Sequence, residues 1–144
     1  MKKIMKLFGI IAFVAVIGFS MIACDNGGNA NSLDGVWVSQ MAVISVDGSV
    51  GTISSTQNLS PLWASAVSKG YLQPGTQFFR YLRKTDNYTW TGEVLVITST
   101  TSTSNVASGP SWYSCTISMN SNGRNFTCNY SYRGNQSVPY TRQR

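Results

Sequence analysis

The chain has 144 residues, with 11 basic and 5 acidic side chains, three cysteines, no histidine and a formal net charge of +6. Lacking His, it loses the commonest general base, the usual catalytic triads and most zinc sites at once. Lys2, Lys3 and Lys6 lie at the extreme amino terminus, so the rest carries only about +3, and Lys and Arg form no dense run of the kind that binds nucleic acid.

Those three lysines precede residues 7–22, a run of 16 with no charge. A bilayer-crossing helix usually needs about 20 residues, so the pattern predicts a cleaved helical signal peptide over 1–23. The end of the run, "MIAC", resembles the bacterial lipobox, with Met21 and Ile22 departing from the usual residues and Ala23–Cys24 fitting it. That resemblance implies an exported envelope lipoprotein of the spirochaete kind. Cys24 would be acylated, with palmitate-type chains inserted in the outer or inner membrane, and two chains give stable anchoring. The tract "DNGGNANS" has no apolar residue larger than Ala and reads as a flexible Gly-rich coil. The predicted organisation is a signal peptide (1–23), a lipidated Cys24 with its tether (24–33) and one folded domain (34–144).

The domain is rich in Ser, Thr, Asn, Val and aromatics, with turn residues recurring every dozen positions or so. This predicts an all-β, antiparallel fold. Strands are expected near 35–46, 49–56, 76–84, 87–91, 93–99, 111–119, 124–132 and 137–142. Asp47–Gly48, Asp86–Asn87 and Asn122–Gly123 mark turns between them. One segment, "NLSPLWASAVSKG", breaks the pattern: Ser60 can cap, Pro61 suits a first helical turn and Gly70 stops it. A helix of about two turns should lie across a sheet or over a barrel mouth. The tract "TSTTSTSNVASGPS" is of low complexity and reads as a strand end running into a loop.

The stretch "WYSCTISMNSNGRNFTCNYSY" holds two period-2 patterns around Asn-Gly, a hairpin with one apolar face. Cys115 and Cys128 form an even pair in an exported chain, which predicts a disulfide. A four-residue loop would set them directly opposite and a two-residue loop diagonally on one face. A three-residue loop would separate them, because a one-residue slip inverts a strand. Two separate buried thiols are the alternative.

Eight short strands must hide two edges, and closure into a barrel does so. The segment "LDGVWVS" resembles the Gly-x-Trp opening of lipocalin and calycin barrels, and "SVPYTRQR" resembles the end of small lipocalin-like bacterial lipoproteins. The resemblance implies that Gly35, Trp37 and Arg142 close the barrel floor, Arg133 being the second choice for the basic partner.

Ligand-contacting candidates come from "TQFFRYLRK" and its neighbour. One face carries Phe78, Arg80, Leu82 and Lys84; the other carries Gln77, Phe79, Tyr81 and Arg83. Were the first face inward, Arg80 would need an anion beside it, since a buried guanidinium costs several kcal/mol unpaired. An Arg80 lying on the wet face is the other reading. Tyr88 and Trp90 share a face and are further candidate contacts, as is Trp63 on the helix. The expected function is membrane-anchored binding of a small hydrophobic or amphipathic anionic ligand. The competing expectation is an envelope or surface lipoprotein acting by protein contact, as adhesin, spacer or inhibitor, with a filled barrel. No catalytic set, metal or cofactor is expected.

Overall fold

The computed structural model describes residues 31–57 and 60–144. The predicted signal peptide, Cys24 and the tether up to residue 30 lie outside the described residues. Eight antiparallel strands run in chain order around a closed barrel: β1 Gly35–Val38, β2 Ala42–Asp47, β3 Val50–Thr56, β4 Gln77–Asp86, β5 Thr89–Ser99, β6 Ala107–Met119, β7 Asn125–Ser131 and β8 Asn135–Arg142. The helix α1, Pro61–Ser68, lies between β3 and β4. Closure is made where Trp37 pairs Arg142 and Val38 pairs Thr141, which removes both free edges.

The local chemistry explains most of the boundaries. Ser60 caps α1 by accepting from the Trp63 N–H, with Pro61 at the first turn. Gly48 and Gly123 take positive φ values of 58° and 67° in the β2–β3 and β6–β7 turns, as their Asp-Gly and Asn-Gly contexts dictate.

One expected strand is split and two are merged, so the differences compensate in strand number. The single strand expected over 35–46 is two strands, broken at residues 39–41. There the Ser39 hydroxyl accepts from the Met41 and Ala42 N–H groups and stands in for a Gly or Pro turn. The two strands expected over 87–99 are one continuous β5, in which Gly92 marks a close approach rather than a break. A Cβ there would lie 2.8 Å from the Arg80 carbonyl oxygen and 3.2 Å from Leu82 Cα. β6 also begins earlier than expected, at Ala107.

The barrel has two unlike ends. The floor collects residues 31–34, the turns at 48–49 and 87–88, the 120–124 loop and the carboxyl terminus. The mouth collects residues 39–41, α1, the 100–106 loop and the 132–134 turn. The floor half is filled by rings. Trp37 and Phe126 meet edge-on at 4.6 Å, Phe126 stacks on Tyr140 at 4.6 Å, and Phe79 abuts Tyr140 at 5.9 Å. Such pairs add about 0.5–1.5 kcal/mol each beyond their burial.

Candidate functional site

Between the aromatic plug and α1 lies a cavity of about 480 Å³ that opens at the mouth. Its size falls within the roughly 300–1,000 Å³ of small-molecule sites. Inward-facing Val94, Val96 and Val138 form much of its apolar wall, joined by Phe78 and, from α1, by Leu62 and Trp63. Strand alternation supplies these positions: Val94 pairs Tyr113 on the same inward face of the sheet that carries Cys115 and Ile117. The helix is held in place from two sides. Ser65 Oγ accepts from the Ala107 N–H at 3.1 Å and Lys69 Nζ donates to the Ala107 carbonyl at 2.6 Å. The Trp63 ring lies 6.0 Å from Phe78.

The polar part of the lining gathers towards the rim, where Ser39, Ser99, Tyr132, Arg133 and Gln136 meet, and among the described residues no Asp or Glu lines the cavity. Arg133 occupies the β7–β8 turn with φ 51°, followed by Gly134 at φ 99°. Its guanidinium donates to the Ser99 carbonyl at 2.7 Å and to Ser99 Oγ at 3.4 Å, and lies 5.3 Å from the Tyr132 ring. Tyr132 Oη accepts from the Ser99 N–H at 3.3 Å. The arrangement ties the end of β5 to the turn and leaves further donors of the guanidinium fork for an anion. Deeper in, burial pushes the Tyr140 hydroxyl well up, the neighbouring Cys128 and Tyr130 adding to this and a hydrogen bond with Ser39 opposing it. Burial also raises Tyr130, with Cys128 adding to it. Both phenols therefore stay neutral hydrogen-bonding groups.

The ligand candidates read from sequence divide by position. Phe78 lines the cavity. Arg80 does not: its side chain lies on the outer wall, paired with Glu93 and stacked 4.0 Å over the Trp112 ring. The inward register belongs to Phe79, which pairs Val94, so Arg80 opposite Glu93 must point out. Trp90 faces inward but in the floor half, with Lys84 Nζ 5.2 Å from its ring. Tyr88 belongs to the 87–88 turn, where its carbonyl accepts from Met119 N–H at 2.8 Å. Neither lines the cavity, because strand alternation reports the face of a residue and not its depth.

The floor group assembles around one cation. Arg142 Cζ sits 4.3 Å from the Trp37 ring, and its guanidinium donates to the carbonyls of Gly123, Asp34 and Ser32 at 2.9, 2.7 and 2.6 Å. Burial lowers this guanidinium from its ordinary value, and the Asp34 charge opposes that. Trp37 Nε1 donates to the Leu33 carbonyl at 2.7 Å, so the fully buried indole is satisfied. Gly35, at φ 131°, leaves room for the guanidinium, since a Cβ would meet Arg142 Nη1 at 3.0 Å. Arg133, the second choice for this partner, lies at the opposite end.

Cys115 and Cys128 are buried thiols. Cys115 pairs Tyr130 and Ile117 pairs Cys128, so the cysteines lie diagonally on the inward face. The hydrogen bond between them lowers Cys115, burial and Glu93 opposing, and raises Cys128, burial adding to the rise. Cys24 lies outside the described residues.

Sequence reasoning missed Ser99, Tyr132, Arg133 and Gln136 as cavity residues. Tyr130 and Tyr132 stood in a recognised apolar alternation, but nothing local distinguished the mouth half of that strand from the floor half. No family model, curated protein or solved structure matches the chain.

Proposed function

We propose that the protein is an envelope lipoprotein whose lipocalin-like barrel binds a small anionic amphiphile through its mouth. The observation that carries this is the cavity itself: about 480 Å³, apolar within, with Arg133 at its rim and no acid among the described residues of its lining. An apolar tail would occupy the valine and aromatic wall, and the head would meet the Arg133 fork. The protein-contact alternative requires a filled barrel, which the open mouth half disfavours. The protein is read as a binder and not an enzyme, consistent with a sequence that lacks His.

The anchor and the cavity then serve opposite ends. Residues 31–34 lie at the floor, where Ser32 and Asp34 bind Arg142. A lipidated Cys24 would hold the floor towards the membrane and turn the mouth to the aqueous compartment. In this reading the ligand is exchanged with that compartment.

Native mass spectrometry of residues 25–144 before and after solvent extraction tests the reading. The expected result is an extra mass of a few hundred daltons that extraction removes and a long-chain carboxylate restores. Arg133→Asn is the informative variant, because Asn tolerates the left-handed backbone better than Arg. It gives up the two hydrogen bonds to Ser99 along with the backbone strain, so the melting temperature should fall by a few degrees at most, while carboxylate binding weakens about tenfold, the loss of one charge-assisted pair. A clean apoprotein mass that no amphiphile changes would sink the proposal.

A further inference from the structure

The outer wall carries a second concavity, unrelated to the mouth. It is an open groove of about 630 Å³ bordered by Tyr81, Arg83, Thr91, Glu93, Thr116 and Asn129. Tyr81 is its unusual member. The residue is 69% exposed and has φ 55° in a β4 bulge. A left-handed backbone is costly for a residue with a Cβ, and a Gly would occupy the position without strain. The chain places Gly where its turns need a positive φ, as at Gly48, Gly70, Gly75, Gly123 and Gly134, yet here it presents a large ring to solvent in a strained conformation. Strain held by the surrounding structure is characteristic of binding sites.

The ring does not hang free. Arg80 Cζ lies 5.0 Å from the Tyr81 ring and 4.0 Å from the Trp112 ring, and its Nε is paired to Glu93 Oε2. Trp112, Arg80 and Tyr81 thus form a braced stack, and the same brace orients the Glu93 carboxylate towards the groove. A rigid site of this kind loses less freedom on binding. Along the floor, the hydroxyls of Thr91, Ser114 and Thr116 border the groove with no hydrogen-bond partner among the described residues. Arg83, on the same rim, likewise has no acid or hydrogen-bond partner among them. Since Arg80 offsets Glu93, the groove carries one uncompensated positive charge.

An aromatic platform, a row of hydroxyls and an amide, a fixed carboxylate and one free guanidinium suit a pyranose ring bearing an acidic group. The C–H face of the sugar would lie on Tyr81. Its hydroxyls would bond Thr91, Thr116, Asn129 and Glu93. Its carboxylate would pair with Arg83. We infer that this groove is a binding site for an acidic saccharide.

Isothermal titration of the intact chain in detergent, with a uronic-acid trisaccharide and its carboxyl-reduced neutral counterpart, tests this. Detergent filling the mouth leaves the groove open, so the outcome is independent of the cavity. The acidic sugar should bind at least fivefold tighter than the neutral one. Arg83→Gln should abolish that preference while sparing neutral binding. Tyr81→Gly should weaken both sugars tenfold or more and leave the melting temperature unchanged or higher, because the backbone strain is relieved. A lower melting temperature in Tyr81→Gly would mark the ring as a structural prop and overturn the inference. So would the absence of heat with either sugar, or binding of an acidic peptide in their place.

Discussion

Arg142 shows how much one side chain can hold at the barrel floor. It covers the Trp37 ring and donates to three backbone carbonyls from the approach segment and the 120–124 loop. Lysine retains the charge but not the planar fork that reaches several acceptors at once. Arg142→Lys should therefore cost about 1–2 kcal/mol, read as a shift in the denaturant midpoint with an unchanged slope. Tyr140 gives a pH prediction. Its folded-state value lies well above the ordinary one because of burial. Its stabilising effect is thus complete below about pH 10, where the unfolded chain also keeps the proton, and is lost as pH rises further. Stability should fall above about pH 10 by up to roughly 1.4 kcal/mol per unit for each such phenol. Tyr140→Phe should show a shallower alkaline decline in pH-dependent unfolding.

At the scale of the element, the β4 bulge decides what the longest segment of candidate residues does. Phe79 pairs Val94 and Arg80 pairs Glu93, but the next ladder partners are Arg83 and Thr91, so the strand carries an extra residue at Tyr81. The bulge re-aims the following side chains, as bulges do, and packs Leu82 against Gly92. The fit has no room for a methyl group, which would lie 2.8 Å from the Arg80 carbonyl and 2.9 Å from Leu82 Cδ2. Gly92→Ala should cost about 1–3 kcal/mol through overpacking, a loss that thermal unfolding will register. The sequence carried no sign of this bulge: "FFRYLRK" alternates imperfectly on both faces, and Tyr is not a residue that advertises a left-handed backbone. That is why the inward or outward sense of Arg80 could be framed but not decided.

For the whole molecule, the two cysteines add a covalent question to a barrel closed by few pairings. Both thiols are buried and lie diagonally on one face across β6 and β7. Exposed to an oxidant after export, they are expected to form the disulfide read from sequence. The oxidised chain should be two daltons lighter and resist alkylation when denatured without reductant. It should also be more stable by about 2–3 kcal/mol, given the short loop enclosed. Full alkylation of both cysteines in protein isolated from the envelope would reject the disulfide.

What the sequence determined by itself was whatever short-range chemistry encodes. Period-2 alternation placed the strands, Asp-Gly and Asn-Gly placed turns, and Ser-Pro placed the helix. The sequence left the loop length of the β6–β7 hairpin open, and the structure chose the even register that puts Cys115 and Cys128 diagonally on one face. Sequence reading missed the Ser39 turn because a hydroxyl there does the work of a glycine. Closure brought together what no window of sequence contains: Trp37 against Arg142, residues 105 positions apart, and Arg133 against Ser99 at the mouth. It also sorted like residues by depth, sending Phe78 to the cavity and Trp90 to the floor. Side-chain period records which face a residue takes, whereas distance along the barrel axis depends on how every strand is staggered against its neighbours. That quantity exists only once the sheet has closed.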